Sequence, residues 1–69
     1  MTKDNIRQAF NDVYDWWKKY RDVVADDKIL DQMAQEGYEI IRKFQAEELV
    51  VHMVNDLVRE MEYREEKTT

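Results

Sequence analysis

Residues 6–24 read IRQAFNDVYDWWKKYRDVV, and this stretch decides the fold. Ile6, Phe10, Val13, Trp17, Tyr20 and Val24 follow one another at alternating intervals of four and three. At 100° per residue they fall within about 80°, on one face of a helix. A second row, Ala9, Trp16 and Val23, flanks that face. Thr2 or Asp4 can cap the start, since each offers a side-chain oxygen to an orphan backbone N–H. Asp15 and Lys19 form an acid-before-base pair four apart, worth about 0.2–0.5 kcal/mol. The spacing predicts a first helix over about 4–24.

Working outward, the pattern breaks at Ala25-Asp26-Asp27-Lys28, where either aspartate suits the cap of a following helix and its dipole. Leu30, Met33, Gly37, Ile40, Ile41 and Phe44 then recur at helical spacing, predicting a second helix over about 28–44. Gly37, the only glycine, stands on this apolar stripe. It either ends a short helix as a C-cap or lets a bulky partner such as Trp17 approach the backbone. Resumption of the pattern at Ile40 in the same phase favours close approach.

Val50, Met53, Val54, Leu57 and Met61 mark a third helix over about 46–64. Continuing the second stripe straight into it would put Glu47 or Glu48 in the core, at a cost of several kcal/mol. A turn near 44–46 avoids that. The expectation is therefore an all-α, up-down-up three-helix bundle as one domain. The alternative is a helical hairpin with a long second helix, which needs a partner chain. The polar end, residues 65–69, is expected to fray.

The apolar arcs are wide. Leu49 and Val51 broaden the third to about 200°, where a one-sided surface helix shows about 100° or somewhat more. A core of 69 residues also supplies only a few kcal/mol of net stability. Both considerations predict burial against another chain, in a homodimer. Trp16, Val23, Leu49, Val51 and Val58, at the arc edges, are the expected contact residues. For Trp16 the competing expectation is that it closes the core of its own protomer.

Composition narrows the function. One glycine and no proline leave little turn chemistry for an all-β fold. Without cysteine there is neither a disulfide framework nor a thiolate metal site. No apolar run exceeds three residues, as at Leu49-Val50-Val51, and Met1-Thr2-Lys3-Asp4-Asn5 lacks the apolar core of a secretory signal. The expected location is cytoplasmic.

Nucleophilic catalysis needs an activated Ser, Cys, Thr or Lys beside a base. Ser and Cys are missing, the threonines stand at the two ends, and the lysines lie among aspartates. Glu48, His52 and Asp56 share one helical row, but it faces away from Val50, Val54 and Leu57 and should be solvated. Asp26-Asp27, Glu47-Glu48 and Glu65-Glu66 fall at turns or in the tail, where nothing separates their pKa values for acid–base work. A single glycine cannot build a phosphate-binding loop. No enzyme, cofactor or metal centre is expected.

Trp16-Trp17-Lys18-Lys19-Tyr20-Arg21 interleaves aromatic and basic groups, the pattern of a single-strand nucleic-acid platform. On a helix, however, Trp17 and Tyr20 should turn inward, and Asp12, Asp15 and Asp22 dilute the cations. A net charge of −5 also opposes a polyanion, so direct nucleic-acid binding is not expected. Charge is uneven: residues 1–35 carry six bases and seven acids, net −1, while 36–69 carry five and nine, net −4. Glu47, Glu48, Asp56, Glu60 and Glu62 supply a candidate acidic surface. It reads as a solvated face or as a surface complementary to a basic protein partner.

With Tyr14-Asp15-Trp16-Trp17-Lys18 early and Val54-Asn55-Asp56-Leu57-Val58-Arg59-Glu60 late, the chain resembles the short, acidic, all-helical proteins of phages and mobile elements of Gram-positive bacteria. The resemblance implies a bacterial, intracellular setting and no particular activity. The sequence reading is thus a non-enzymatic interaction or regulatory module acting through apolar helix faces. Its alternative is an acidic inhibitor that occupies the basic groove of a nucleic-acid-binding protein.

Overall fold

The computed structural model describes residues 2–68, and side chains over 2–65. It is an all-α bundle of three helices, α1 (Lys3–Tyr20), α2 (Asp27–Lys43) and α3 (Glu48–Thr68). Each helix packs on both others, in an elongated body of 42 × 18 × 15 Å. Short connections reverse the chain twice, so α1 and α3 run parallel and α2 runs against them.

Local chemistry sets the ends. Thr2 caps α1, its side-chain oxygen accepting from the Asn5 amide at 3.2 Å. Asp26 does the same for α2, accepting from the Ile29 amide at 2.8 Å. Helix α1 stops at Tyr20 rather than near 24, so Val23 and Val24 belong to the connection, where they are 41% and 78% exposed. The turn expected near 44–46 is present, and α2 and α3 are separate helices. Helix α3 begins two residues later than the spacing predicts and continues through Thr68, so residues 65–68 of the expected frayed tail are helical; Thr69 lies outside the described residues.

The α2–α3 turn is a Schellman motif. The Gln45 amide donates to the Arg42 carbonyl at 3.0 Å, and the Ala46 amide to the Ile41 carbonyl at 2.8 Å. Glycine usually occupies the left-handed position of such a turn, but here Gln45 and Ala46 adopt φ of 57° and 56°.

The core consists of Ala9, Val13, Trp16 and Tyr20 from α1, Met33 from α2, and Val50, Val54 and Met61 from α3. Helix α1 is thus rotated by about 50° from the orientation its spacing suggests. Val13 and Tyr20 are core residues as expected. Ala9 and Trp16 take the places foreseen for Phe10 and Trp17, and Phe10 is left 52% exposed.

Gly37 explains the rotation. The indole of Trp16 lies against its backbone: a Cβ built on Gly37 would stand 3.0 Å from Trp16 Cζ2 and 2.7 Å from Val54 Cγ1. Trp16 Nε1 donates to the Met33 carbonyl at 3.1 Å, so the buried ring also satisfies its one polar atom. The close approach inferred for Gly37 is present, and its occupant is Trp16 instead of Trp17.

Candidate interaction surface

Three helices in a triangle leave three outer faces. Side-chain contacts fix which flank of α1 adjoins which neighbour. On one flank Asp12 pairs with Lys43 and Lys19 pairs with Glu36, both at 2.6 Å, and these partners belong to α2. On the other flank Trp17 lies beneath the Arg64 guanidinium of α3, 5.3 Å from the ring centroid. Arg64 also donates to the Arg21 carbonyl at 2.7 Å.

The α1–α2 face holds a groove of about 380 Å3, with Trp16 and Ile40 as its apolar part and charged side chains around it. Its two lysines are engaged in the ion pairs just named. Tyr20 donates its hydroxyl proton to Glu36, which also accepts from Lys19. Burial, with the adjacent Glu36 hydrogen bond and charge, pushes the Tyr20 phenol up to about 12. Burial alone would raise Glu36, but the hydrogen bonds from Lys19 and Tyr20 outweigh it and hold the carboxyl below its ordinary value. These groups clasp α1 to α2, so the groove reads as a helix-to-helix latch.

The α1–α3 face differs. Phe10 and Tyr14 are 52% and 56% exposed, and Leu49 across the seam is 40% exposed. Trp17, Met53 and Leu57 are half-buried and pack against the core beneath them. Phe10, Tyr14, Trp17, Met53 and Leu57 were not among the contact residues expected from sequence. The usable signal was the intermediate position of Phe10 and Tyr14, which a rotation of α1 by half a residue's arc moves from core margin to surface.

The expected contact residues do not gather on one surface. Trp16 is 4% exposed and closes the protomer's own core, so the expectation of an edge anchor is corrected. Gly37 admits its ring where a side chain would not. Val23 lies in the α1–α2 connection. Leu49 and Val58 are nine positions apart, which puts them on opposite sides of α3. Val51 and Val58 are half-buried, and Val58 packs against the core.

The acidic positions Glu47, Glu48, Asp56, Glu60 and Glu62 are all exposed. Glu47 precedes α3, the other four spread over about 160° of its surface, and Glu60 is held by Arg64 at 3.3 Å. Glu65, at the other end of the molecule from Glu48, has its carboxyl raised chiefly by a hydrogen bond to the Asp27 carboxyl, with Asp26 and Glu62 adding charge repulsion. His52 is exposed, as are Glu48 and Asp56 in its row. Among the described residues no group of three His, Cys, Asp or Glu side chains is arranged to hold a metal ion. No helix among them is long and apolar enough to cross a membrane.

The described residues form a small all-α three-helix bundle whose α1–α3 face exposes apolar side chains. Compared with known protein families, curated proteins and solved structures, the chain matches none.

Proposed function

We propose that this protein is a non-enzymatic, cytoplasmic interaction module that works as a homodimer, its protomers joined through the α1–α3 face. The observation that supports this most is the exposure of Phe10 and Tyr14, each more than half open to solvent. Apolar area left wet forgoes about 25 cal/mol per Å2, and a second copy laid on the face recovers it. Trp17 on α1, with Leu49 and Met53 of α3 across the seam, extends the same patch. Contiguous apolar patches with polar rims are characteristic of partner surfaces.

The non-enzymatic reading rests on the side chains available. The one histidine is solvated, there is no Ser or Cys, and the α1–α2 groove is occupied by ion pairs that hold the helices together. The acidic-inhibitor alternative has less behind it, because its five carboxylates do not converge on one face.

Sedimentation equilibrium of the full chain tests the proposal. The apparent mass should rise with concentration toward twice the 8.5 kDa chain. Phe10→Glu should hold it at the monomer value while circular dichroism stays helical. A strict monomer at concentrations up to about 100 μM overturns the reading.

A further inference from the structure

Lys3, Arg7, Phe10, Tyr14, Lys18 and Arg21 follow one another at intervals of four, three, four, four and three. On α1 and its first following residue they share an arc of about 80°. All six are exposed, and no acid lies among them. Of the helix's acids, Asp12 pairs with Lys43 of α2 and Asp15 lines the α1–α2 groove, while Asp4 stands about 40° outside the arc. Lys18 lies over the Tyr14 ring at 5.9 Å, and Arg21 touches Asp22 at 3.3 Å. Lys3, Arg7 and Lys18 have no ion-pair partner among the described residues. A chain of net charge −5 thus carries a basic and aromatic stripe along its first helix, with Asp22 at its end on Arg21.

Across the seam, α3 presents the complement. Leu49, Asp56, Glu60 and Tyr63 share an arc of about 60° on the flank nearest α1, beside Arg64. The contact of Arg64 with Trp17 and Arg21 fixes the relative height of the two parallel helices. At 1.5 Å per residue, Glu60 lies level with about residue 15 of α1 and Asp56 with about residue 11. The basic and acidic stripes therefore run side by side, at matched heights, on one face.

We propose that the occupant of this face is a second copy of the chain, related by a two-fold axis along the α1–α3 seam. That axis sets the basic stripe of α1 on the partner's α3 stripe, and the acidic stripe of α3 on the partner's α1. Asp56 and Glu60 then stand level with Phe10 and Tyr14, and the long side chains of Arg7 and Lys18 reach them from about 4–6 Å along the helix axis. The contact is isologous and closes at two subunits. A face on the 42 by 18 Å side of the molecule is of the size that standard interfaces use, about 800 Å2 per partner. A nucleic acid is the less favoured occupant, because the overall negative charge repels a polyanion and the acidic α3 stripe shares the face.

This inference rests on the homodimer proposed above, and charge-reversal pairs test it separately. One variant carries Arg7→Glu with Lys18→Glu, and the other Asp56→Lys with Glu60→Lys. Every changed side chain is exposed, and circular dichroism verifies that both remain helical. Each variant alone should dimerise at least about tenfold more weakly than wild type, since like charges now face each other. Mixed one to one, they should recover dimerisation to near the wild-type level, because both contacts of the mixed pair are again complementary. If wild type dimerises and the variants do so equally well, or if the mixture shows no recovery, the two stripes do not meet: this geometry fails while self-association stands. A monomeric wild type removes both. Titration with a fluorescent single-stranded oligonucleotide completes the test: binding that is lost in the α1 variant assigns the stripe to a polyanion and overturns the proposal.

Discussion

At Gly37, in the middle of α2, the backbone is ordinary helix and glycine supplies room. At Gln45 and Ala46, in the α2–α3 turn, the backbone is left-handed and glycine is missing. Intrinsic preferences would reverse this assignment, because glycine costs about 1 kcal/mol inside a helix and relieves about 1–2 kcal/mol at a left-handed position. The difference lies in what surrounds each site. Gly37 touches Trp16 and Val54, both almost fully buried, and no adjacent solvent can take up a methyl group. Gln45 and Ala46 are exposed, and their strain is local and partly offset by the two hydrogen bonds of the Schellman motif. Glycine stands where crowding is three-dimensional, and the turn tolerates an unfavourable dihedral because nothing presses on it.

The largest test of that contrast is at the indole. Trp16→Ala should cost about 3–5 kcal/mol in urea unfolding, as large aromatic truncations in cores do. Trp17→Ala should cost at least about 2 kcal/mol less, because Trp17 is only half-buried. Equal losses would mean that Gly37 does not select Trp16. Next comes Gly37→Ala, where overpacking of about 1–3 kcal/mol competes with about 1 kcal/mol of helix propensity. The net expectation is destabilisation by about 1–2 kcal/mol. Val54→Ala in the same chain should remove most of the increment, so a double-mutant cycle should show coupling between the two positions.

At the turn the sign changes. Gln45→Gly should stabilise the protein by about 0.5–1 kcal/mol, the left-handed penalty less the extra chain entropy of glycine. A loss of stability there would break the comparison. The smallest effect near neutral pH belongs to the α1–α2 latch and is sharpest in alkali. The Tyr20 phenol is raised from 10 to about 12, so its contribution is complete below pH 10 and is lost as pH rises toward 12. Glu36 acts in the opposite sense: its carboxyl is held below its ordinary value of 4.5, and its contribution is lost as pH falls through the folded-state value. Thermal unfolding against pH should show both limbs, and Tyr20→Phe should flatten the alkaline one.

Much of the fold was legible beforehand, and the reasons are local. The intervals of three and four in all three segments identified the helices. Thr2 and Asp26 were among the candidate caps, beside Asp4 and Asp27, because their side chains reach the third following amide without help from elsewhere. Glu47 and Glu48 forced a turn because a buried charge would have been too costly. The azimuth of α1 was not legible. Ile6, Phe10 and Trp17 make as good an apolar row as Ala9, Val13 and Trp16, and periodicity fixes a row's existence without choosing between two adjacent rows. The contact residues suffered accordingly: Trp16 went inward, and Phe10 and Tyr14 came out.

The acids are a second instance. Their surplus toward the end of the chain was plain from counting, but counting could not separate Asp56 and Glu60, beside the α1 seam, from Glu62 on another side of the helix. In the same way, Asp12, Asp15 and Asp22 looked as though they would dilute the cations of α1. Asp22 does pair with Arg21, but the fold turns Asp12 toward Lys43 of α2 and leaves Lys3, Arg7 and Lys18 exposed.

What the amino-acid order determined by itself was the number of helices, their approximate limits and the three-rod architecture, because backbone hydrogen bonding, capping and apolar spacing act within a few residues of one another. What only the tertiary structure decided was the rotation of each rod about its own axis. That rotation depends on a notch in one helix meeting a ring in another, Gly37 and Trp16, twenty-one positions apart along the chain. The exposed face, with its paired stripes of opposite charge, follows from that one fit.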